Sequence, residues 1–229
     1  SCRNRCCPMC QAVPKEMWMD ARREDVLDAP YFHLVFTVPD ILNPIIYNNQ
    51  KLLYDTLYHA ASATISELTA DPKHLGADVG YICILHTWGS EMNFHPHIHT
   101  ILLGGGLTPK NEWKDNGTEF FLPIGAISKV FRGKYMDELK NLWNTNQLKF
   151  HGTAEKYRNH YEFKKLIDSC YDAEWIPYCK KTFNGAQSVI DYLGKYTHRI
   201  AISNHRIICV DDKNVTFSVK DYRNKGQWK

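Results

Sequence analysis

Three histidines alternate along one short stretch of the chain, His95, His97 and His99. If this stretch is a β-strand, the three side chains share one face, because side chains alternate with a period of two. Pro96 makes His95 the least regular member, so we take His97 and His99 as the ligand pair. Imidazole nitrogens bind divalent cations, and this spacing therefore predicts a metal site. The alternative is a histidine-rich strand whose side chains only pack.

The preceding stretch strengthens the metal interpretation. Residues 81–88 read as a strand and residues 89–93 as a turn. A symmetric hairpin sets His86 opposite His97 on the ligand face, which makes His86 a third ligand and leaves Glu91 as a weaker candidate. Three protein ligands with open positions are typical of a catalytic metal. The opposite face, expected in the core, carries Tyr81, Cys83, Leu85, Thr87, Ile98, Thr100 and Leu102.

Four of the eight cysteines lie close together at the start of the chain, Cys2, Cys6, Cys7 and Cys10. Cys7 and Cys10 form a Cys-x-x-Cys knuckle, a spacing that binds Zn²⁺ when further ligands are present. A second such pair is absent, so we expect part of a zinc module with ligands upstream; a disulfide is the alternative. The scattered cysteines are expected to be reduced and mostly buried; they are Cys83, Cys170, Cys179 and Cys209.

The length of 229 residues allows one domain with an appendage, or two small domains. No apolar run approaches the ~18 residues of a membrane span and no secretory signal is visible, so we expect a cytoplasmic protein without membrane contact. The net charge is +3, but residues 195–229 carry eight Lys or Arg against three Asp. This basic end favours a polyanionic partner, with a solvated surface as the alternative.

Hydrophobic periodicity predicts an α+β protein without internal repeats. The expected strands are 31–38, 81–88, 94–103, 120–124, 175–179, 199–203, 206–210 and 215–220. The expected helices are 22–27, 44–68, 127–143, 154–169 and 187–196, and residues 104–117 are expected to form a loop.

The helix at 187–196 carries Tyr192 and Tyr196 one turn apart. Alone, such a pair is typical of two half-buried tyrosines. Beside a histidine metal strand and a basic end, it indicates phosphoryl transfer, in which the metal polarises a phosphodiester and a phenol oxygen attacks phosphorus. The product is a covalent phosphotyrosine. Free tyrosine has a pKa near 10, so the metal, Lys195 or His198 would have to assist loss of the proton.

The chain resembles a known family, the HUH endonucleases, and specifically the two-tyrosine transposases of rolling-circle insertion sequences (the IS91-like group). The matching motifs run over nearly the whole chain. They are residues 1–5, Cys7-Pro8, Cys10-Gln11, 21–25, Phe36-Thr37-Val38-Pro39, His86-Thr87-Trp88-Gly89, His95-Pro96-His97-Ile98-His99, 128–134, 192–199, Ile202-Ser203-Asn204 and Lys220-Asp221-Tyr222-Arg223.

The resemblance implies an HUH core, a central antiparallel sheet with the metal on one face and the tyrosine helix packed beside it. A partial zinc-binding module (residues 1–24) would precede a catalytic domain (residues 25–229). His97 and His99 would bind Mg²⁺ or Mn²⁺. Tyr192 and Tyr196 would cut single-stranded DNA, leaving a 5′-phosphotyrosine and a free 3′-OH. The implied partner is single-stranded or hairpin DNA at the element ends, and the oligomeric state stays open.

Cys6 departs from the family pattern, which usually has histidine there, so the zinc ligand set stays open among the four cysteines. Candidates for DNA contact are Arg3, Arg5, Lys195, His198, Arg199 and Arg206.

One alternative to a transposase is a plasmid replication initiator or relaxase of the HUH class. A second is a non-catalytic zinc-containing DNA-binding protein. A metal-dependent hydrolase is weaker, because no aspartate-rich motif accompanies the histidines.

Overall fold

The structure is a computed structural model that describes residues 2, 7–117, 122–175, 177–183, 186–197, 202, 204–221 and 227–228. The chain divides into two compact units. The larger comprises Asp28–His86 and Pro96–Gly185, and the smaller comprises Ser1–Leu27, Thr87–His95 and Ala186–Lys229. Within the described residues, no helix is both long and apolar enough to cross a membrane.

A five-stranded sheet organises the larger unit. Its strands are β1 (Tyr31–Thr37), β2 (Asp78–Trp88), β3 (Phe94–Leu107), β4 (Trp113–Asp115) and β5 (Tyr178–Phe183). The order across the sheet is β2-β3-β1-β5, with β4 paired to the far end of β3. β1 runs antiparallel to both β3 and β5. Together with the helices this confirms the predicted α+β class with a central antiparallel sheet.

One face of this sheet forms the core. Phe32, Leu34 and Phe36 alternate along β1 and are at most 1% exposed. Their partners on β3 are Leu102, Thr100 and Ile98, all buried. The ring of Phe36 lies 5.0 Å from that of Phe131 on a helix that covers this face. Burial of these large side chains supplies the main stabilisation of the unit.

The described part of the larger unit contains the α-helices α2 (Asn43–Asn48), α3 (Gln50–Ala70), α4 (Ile124–Asn144) and α5 (His160–Asp172), with short 3-10 helices at Asp40–Leu42 and Gly152–Arg158. α3 packs against α4, and the two are linked at the surface by an ion pair between Glu67 and Lys134. The predicted helix at 44–68 is present but is broken at Asn49. The Asn49 amide group donates to the carbonyls of Ile45 and Lys149 and accepts from Lys149 N–H, which joins the break to a distant segment.

β3 continues through Gly104, Gly105 and Gly106, where a loop was expected. Glycine in a strand is a weak signal, but here the neighbouring backbone comes close. A Cβ at Gly106 would overlap the carbonyl group of Asp78 at the start of β2. The glycines therefore permit close strand approach rather than ending the strand, and the loop prediction is wrong for these residues.

Other sequence predictions differ from the structure at element ends. The expected helix at 22–27 is wrong, because helix α1 (Pro8–Arg23) begins much earlier and ends within it. Ile124 begins α4 instead of ending a strand, and β5 begins at Tyr178, later than expected. Residues 120–121 of the expected strand at 120–124 lie outside the described residues, and residues 122–124 are not in a strand. Of the expected strand at 199–203 only residue 202 is described.

The scattered cysteines are thiols, as predicted, and three of them are buried or half-buried. Burial raises the pKa of Cys170 to about 12 and that of Cys179 to about 11, so both stay protonated at neutral pH. Cys209 differs from the prediction because it is exposed on a short strand.

The smaller unit contains α1, a second helix and short strands. These are α6 (Ala186–Thr197), β6 (Ile207–Val210), β7 (Val215–Phe217), β8 (Lys220–Asp221) and β9 (Gln227–Trp228). α1 packs against α6, and β6 pairs with β7 in an antiparallel hairpin. The contact between the two helices is close at Gly194, where a Cβ would overlap Met19 Sδ.

Candidate metal centre and tyrosine helix

The second face of the sheet in the larger unit carries the histidines. In the β1–β3 register, Val35 lies opposite His99 and Thr37 opposite His97. Residues directly opposite one another in an antiparallel pair share a face, so all four side chains project to the same side. Val35 and Thr37 are only half-buried, in contrast to the core face. The histidine face is therefore partly open to solvent.

His86, His97 and His99 lie together on this face. One ring nitrogen from each lies within 4.8 Å of the others. The His86 ring centroid is 4.7 Å from that of His99 and 5.6 Å from that of His97. The sequence placed His86 here by hairpin register alone. A contact of 3.3 Å between Cys83 Sγ and Thr100 Oγ1, a pair that the same register sets opposite, agrees with that register.

The donor set fits a divalent cation. His97 Nε2 lies 3.1 Å from His99 Nε2. Metal–nitrogen bonds of about 2.1 Å place neighbouring ligand nitrogens roughly 3–3.4 Å apart, so one ion could bridge this pair without rearrangement. His86 is 2% exposed and His99 8% exposed, whereas His97 is half-buried. The cluster is therefore reachable from one side and shielded on the other.

His33 is a member of this cluster that the sequence reasoning missed. Its Nε2 lies 2.9 Å from His99 Nδ1, and it is 8% exposed. Burial lowers the pKa of His33 to about 4, which keeps the ring neutral and able to accept a hydrogen bond. With Nδ1 of His99 directed at His33, Nε2 of His99 faces His97. Such a partner behind a ligand fixes its tautomer and orientation.

One signal could have identified His33. It is the polar residue within an otherwise apolar and aromatic run from Tyr31 to Phe36. A buried histidine in such a strand needs a hydrogen-bond partner, because an unpaired polar group costs about 1–3 kcal/mol. The partner is 66 residues away in sequence, so only the β1–β3 pairing reveals it.

Tyr192 and Tyr196 lie on α6 in the smaller unit. The buried stripe of this helix includes Val189 and Ile190, 1% and 3% exposed, as the sequence predicted. Tyr192 is half-buried, and the side chains of Tyr196 and Lys195 lie outside the described part of the structure.

The cysteine cluster is in the smaller unit, at the start of α1. The Sγ atoms of Cys2, Cys7 and Cys10 lie within 4.8 Å of one another, and those of Cys2 and Cys10 are 3.3 Å apart. Zinc–sulfur bonds of about 2.3 Å place sulfur atoms about 3.8 Å apart, so the cluster fits a zinc ion. Cys7 is the residue that immediately precedes the first turn of α1. Cys6 lies outside the described residues.

The candidate DNA-contacting residues have different outcomes. Arg3, Arg5, His198 and Arg199 lie outside the described residues. Arg206 is 8% exposed, and its guanidinium donates to the carbonyls of Ser218 and Ser90. It also lies over the Phe217 ring, 5.6 Å from the centroid. The Arg206 guanidinium thus joins backbone segments of the smaller unit, and its contact with DNA stays a prediction.

Comparison with known proteins identifies the family. Residues 80–229 match the model described as "Putative transposase", and residues 1–38 match the model described as "Transposase zinc-binding domain" of the IS91 type. The chain belongs to the IS91-like transposase family. This confirms the resemblance carried by the sequence motifs. The zinc-binding match also supports Zn²⁺ as the ion of the cysteine cluster.

Two curated relatives align over essentially the full chain. "Putative transposase y4qJ" of Sinorhizobium fredii is 38% identical over 230 residues, which are 100% of this chain and 58% of that protein. "Transposase for insertion sequence element IS801" of Pseudomonas savastanoi pv. phaseolicola is 29% identical over 231 residues, 99% of this chain and 53% of that protein. The chain thus spans little more than half the length of these relatives.

Solved structures of the conjugative relaxase TrwC in complex with oriT DNA are similar to parts of this chain. A copper-bound form matches with a TM-score of 0.37 and 13% identity over 80% of this chain and 75% of that chain. Another metal-bound form matches with a TM-score of 0.39 and 17% identity over 53% of this chain and 47% of that chain.

Proposed function

We propose that this chain is the catalytic part of a rolling-circle transposase, which cuts and rejoins single-stranded DNA through a covalent tyrosine intermediate. The observation that carries the proposal is the convergence of His86, His97 and His99 on a partly open sheet face. In a transposase family, a cluster of three imidazoles with accessible positions suits activation of a phosphodiester better than a purely structural role.

The three imidazoles are proposed as ligands of Mg²⁺ or Mn²⁺. A cation there would draw charge from a phosphodiester oxygen and orient the phosphorus for attack. Neutral imidazoles leave the full positive charge of the ion directed at the DNA, whereas carboxylates would offset it. The contribution of His33 is to accept the Nδ1 proton of His99, so that Nε2 keeps its lone pair for the cation.

Tyr192 and Tyr196 are proposed as the nucleophiles. The phenol oxygen forms a bond to phosphorus while the bond from phosphorus to the 3′ oxygen breaks. The phenol proton passes to a base or to solvent, and the departing oxygen takes up a proton to become a free 3′-OH. The phosphotyrosine retains the phosphodiester bond energy, so a later 3′-OH can reverse the step and join two strands.

The proposed substrate is single-stranded or hairpin DNA at the ends of the element. Affinity for nucleic acid is dominated by the charge of its backbone. The candidates for phosphate contact remain Arg3, Arg5, Lys195, His198, Arg199 and Arg206. Zinc at the cysteine cluster is proposed to support DNA recognition or folding rather than the chemical step, because cysteine-only ligand sets are typical of structural zinc sites.

The experiment is covalent trapping of oligonucleotides from the ends of the element. Each oligonucleotide is labelled at its 3′ end in one sample and at its 5′ end in another. A 5′-phosphotyrosine link predicts that the 3′ label stays with the protein in denaturing gels, while the 5′ label is released on a shortened strand. The reaction is run with Mg²⁺ or Mn²⁺ and again after complete chelation.

The decisive variant is the double substitution Tyr192→Phe with Tyr196→Phe, which removes both hydroxyls and keeps both rings. Tyr161→Phe is the matched control, because Tyr161 lies on α5 and is 62% exposed. Adduct formation by the double variant would place the nucleophile elsewhere. Undiminished cleavage after chelation would remove the metal from the reaction.

A further inference from the structure

An aromatic side chain lies in one row across the sheet with the histidine cluster. Val35 of β1 is opposite His99 on one side and opposite Tyr178 of β5 on the other. Opposite residues share a face, so Tyr178 projects to the same side of the sheet as the histidines. Two inter-strand spacings separate Tyr178 from His99, a distance of about 10 Å between their backbones.

The Tyr178 ring is held in place yet open to solvent. It contacts the His33 ring edge-on, with 5.4 Å between centroids and 61° between planes. It is nevertheless 44% exposed. β5 is the edge strand of the four-strand path, and among the described residues no further strand pairs with its outer side. A fixed, half-exposed aromatic ring beside a phosphodiester site is the arrangement that binds an unpaired nucleobase by stacking.

A cationic side chain accompanies this ring. Lys180 lies opposite His33 in the β1–β5 register, which puts it on the same face two residues along from Tyr178. Its side chain is exposed. Cys179, which lies between these two residues, is opposite Leu34 and therefore projects to the core face of the sheet. The edge strand thus alternates an aromatic and a basic residue on the histidine face, the combination expected where single-stranded DNA lies along a protein surface.

We propose that Tyr178 and Lys180 form a subsite for single-stranded DNA, in which a nucleobase stacks on Tyr178 and a neighbouring phosphate contacts Lys180. This inference rests on the proposed function, since it assumes that the scissile phosphate binds at His86, His97 and His99. Stacking tolerates any base, so the subsite holds an unpaired strand and excludes a duplex whose bases are already stacked. It therefore selects the single-stranded form next to the reacting phosphate.

The first test measures equilibrium binding of a fluorescent single-stranded oligonucleotide by anisotropy. Tyr178→Ala is expected to weaken binding about five- to hundred-fold, the range for loss of one base–aromatic stack, and Tyr178→Phe to leave it unchanged. Tyr161→Ala is the matched control, because that tyrosine is also exposed but lies on α5. Manganese affinity of Tyr178→Ala should equal that of the unmodified chain, which separates a lost stack from a disturbed metal site.

A 2-aminopurine base moved along the oligonucleotide locates the stack. Quenching at positions beside the cleavage point, retained in Tyr178→Phe and absent in Tyr178→Ala, supports the subsite. Quenching that is the same in Tyr178→Ala would overturn it. Unchanged binding by Tyr178→Ala would do so too and would leave Tyr178 as a packing partner of His33.

The second test concerns Lys180. Lys180→Met should make the plot of log affinity against log salt less steep, by the amount that corresponds to about one phosphate contact. Lys110→Met is the control, because Lys110 is an exposed lysine in the turn after β3. Equal slopes for both variants would remove Lys180 from the subsite. Covalent trapping separates the two proposals. If the unmodified chain forms no covalent adduct but Tyr178→Ala binds the oligonucleotide more weakly than the unmodified chain, the proposed function fails and the subsite stands. If the unmodified chain forms the adduct and Tyr178→Ala binds the oligonucleotide normally, the subsite fails and the proposed function stands.

Discussion

Replacement of His33 by leucine is expected to weaken divalent-metal binding while leaving the metal-free fold largely intact. The change removes the acceptor 2.9 Å from His99 Nδ1 and keeps an apolar volume in a site that is 8% exposed. Without metal, His99 can carry its proton on Nε2 and share it with His97 Nε2, 3.1 Å away. The metal-free state therefore has an alternative hydrogen bond.

In the metal-bound state the Nε2 lone pair of His99 would be used for the cation, so that hydrogen bond to His97 would be lost. Coordination through Nε2 would place the proton of His99 on Nδ1, 2.9 Å from His33 Nε2, which would then accept it. An unsatisfied buried donor costs about 1–3 kcal/mol, and a tenfold change in affinity corresponds to about 1.4 kcal/mol. Metal affinity should therefore fall about 10- to 100-fold, in the range known for partners behind metal ligands.

Titration calorimetry with Mn²⁺ measures the effect directly and needs no DNA. His33→Gln, which keeps an acceptor, should recover part of the affinity. His59→Leu serves as the control, because His59 is an exposed histidine on α3. Thermal melting of metal-free His33→Leu should stay close to that of the unmodified chain. Equal Mn²⁺ affinity in His33→Leu would refute the assignment of His33 as the residue that orients His99.

Three further outcomes are expected. Tyr192→Phe and Tyr196→Phe should each retain some oligonucleotide cleavage with an adduct on the remaining tyrosine; a single variant with no activity beside a normal one would mean that one tyrosine suffices. Serine at both Cys7 and Cys10 should abolish zinc content by metal analysis and weaken DNA binding, and normal binding by this variant would make the cluster dispensable. Gly194→Val should lower stability by about 1–3 kcal/mol through overpacking, measured by thermal melting, and an unchanged melting temperature would contradict the close contact with α1.

The parts of the site that could be predicted depend on residues that lie close together in the sequence. Alternation of His97 and His99 is visible within one strand, and His86 follows from a hairpin whose turn is only a few residues long. His33 and Tyr178 depend on pairings between strands far apart in sequence, which single-sequence periodicity does not specify. Their roles could be recognised only after the order β3-β1-β5 was known.

The errors in the fold have a similar origin. The glycines in the last part of β3 were predicted to form a loop because glycine is a poor strand former. In the structure they remain in the strand, and Gly106 leaves room for the Asp78 backbone of β2. The helix at 8–23 was missed because its first turn lies in the cysteine cluster and Pro14 interrupts the helical pattern. In both cases tertiary contacts override local preference.

Because α1 packs on α6, we expect the cysteine cluster to influence the helix that carries the tyrosines. Cys7 lies at the start of α1, and Met19, about 18 Å further along the helix axis, lies against Gly194. Gly194 is placed between Tyr192 and Tyr196 on α6. The buried Met19 side chain fills the space in which a side chain at position 194 would lie, so α1 and α6 are in close contact there. Zinc that orders the first turn of α1 would stabilise this contact. Removal of zinc is therefore expected to lower protection of the α6 amides in hydrogen exchange while Mn²⁺ affinity at the histidines of the larger unit is unchanged, and equal protection with and without zinc would refute this coupling.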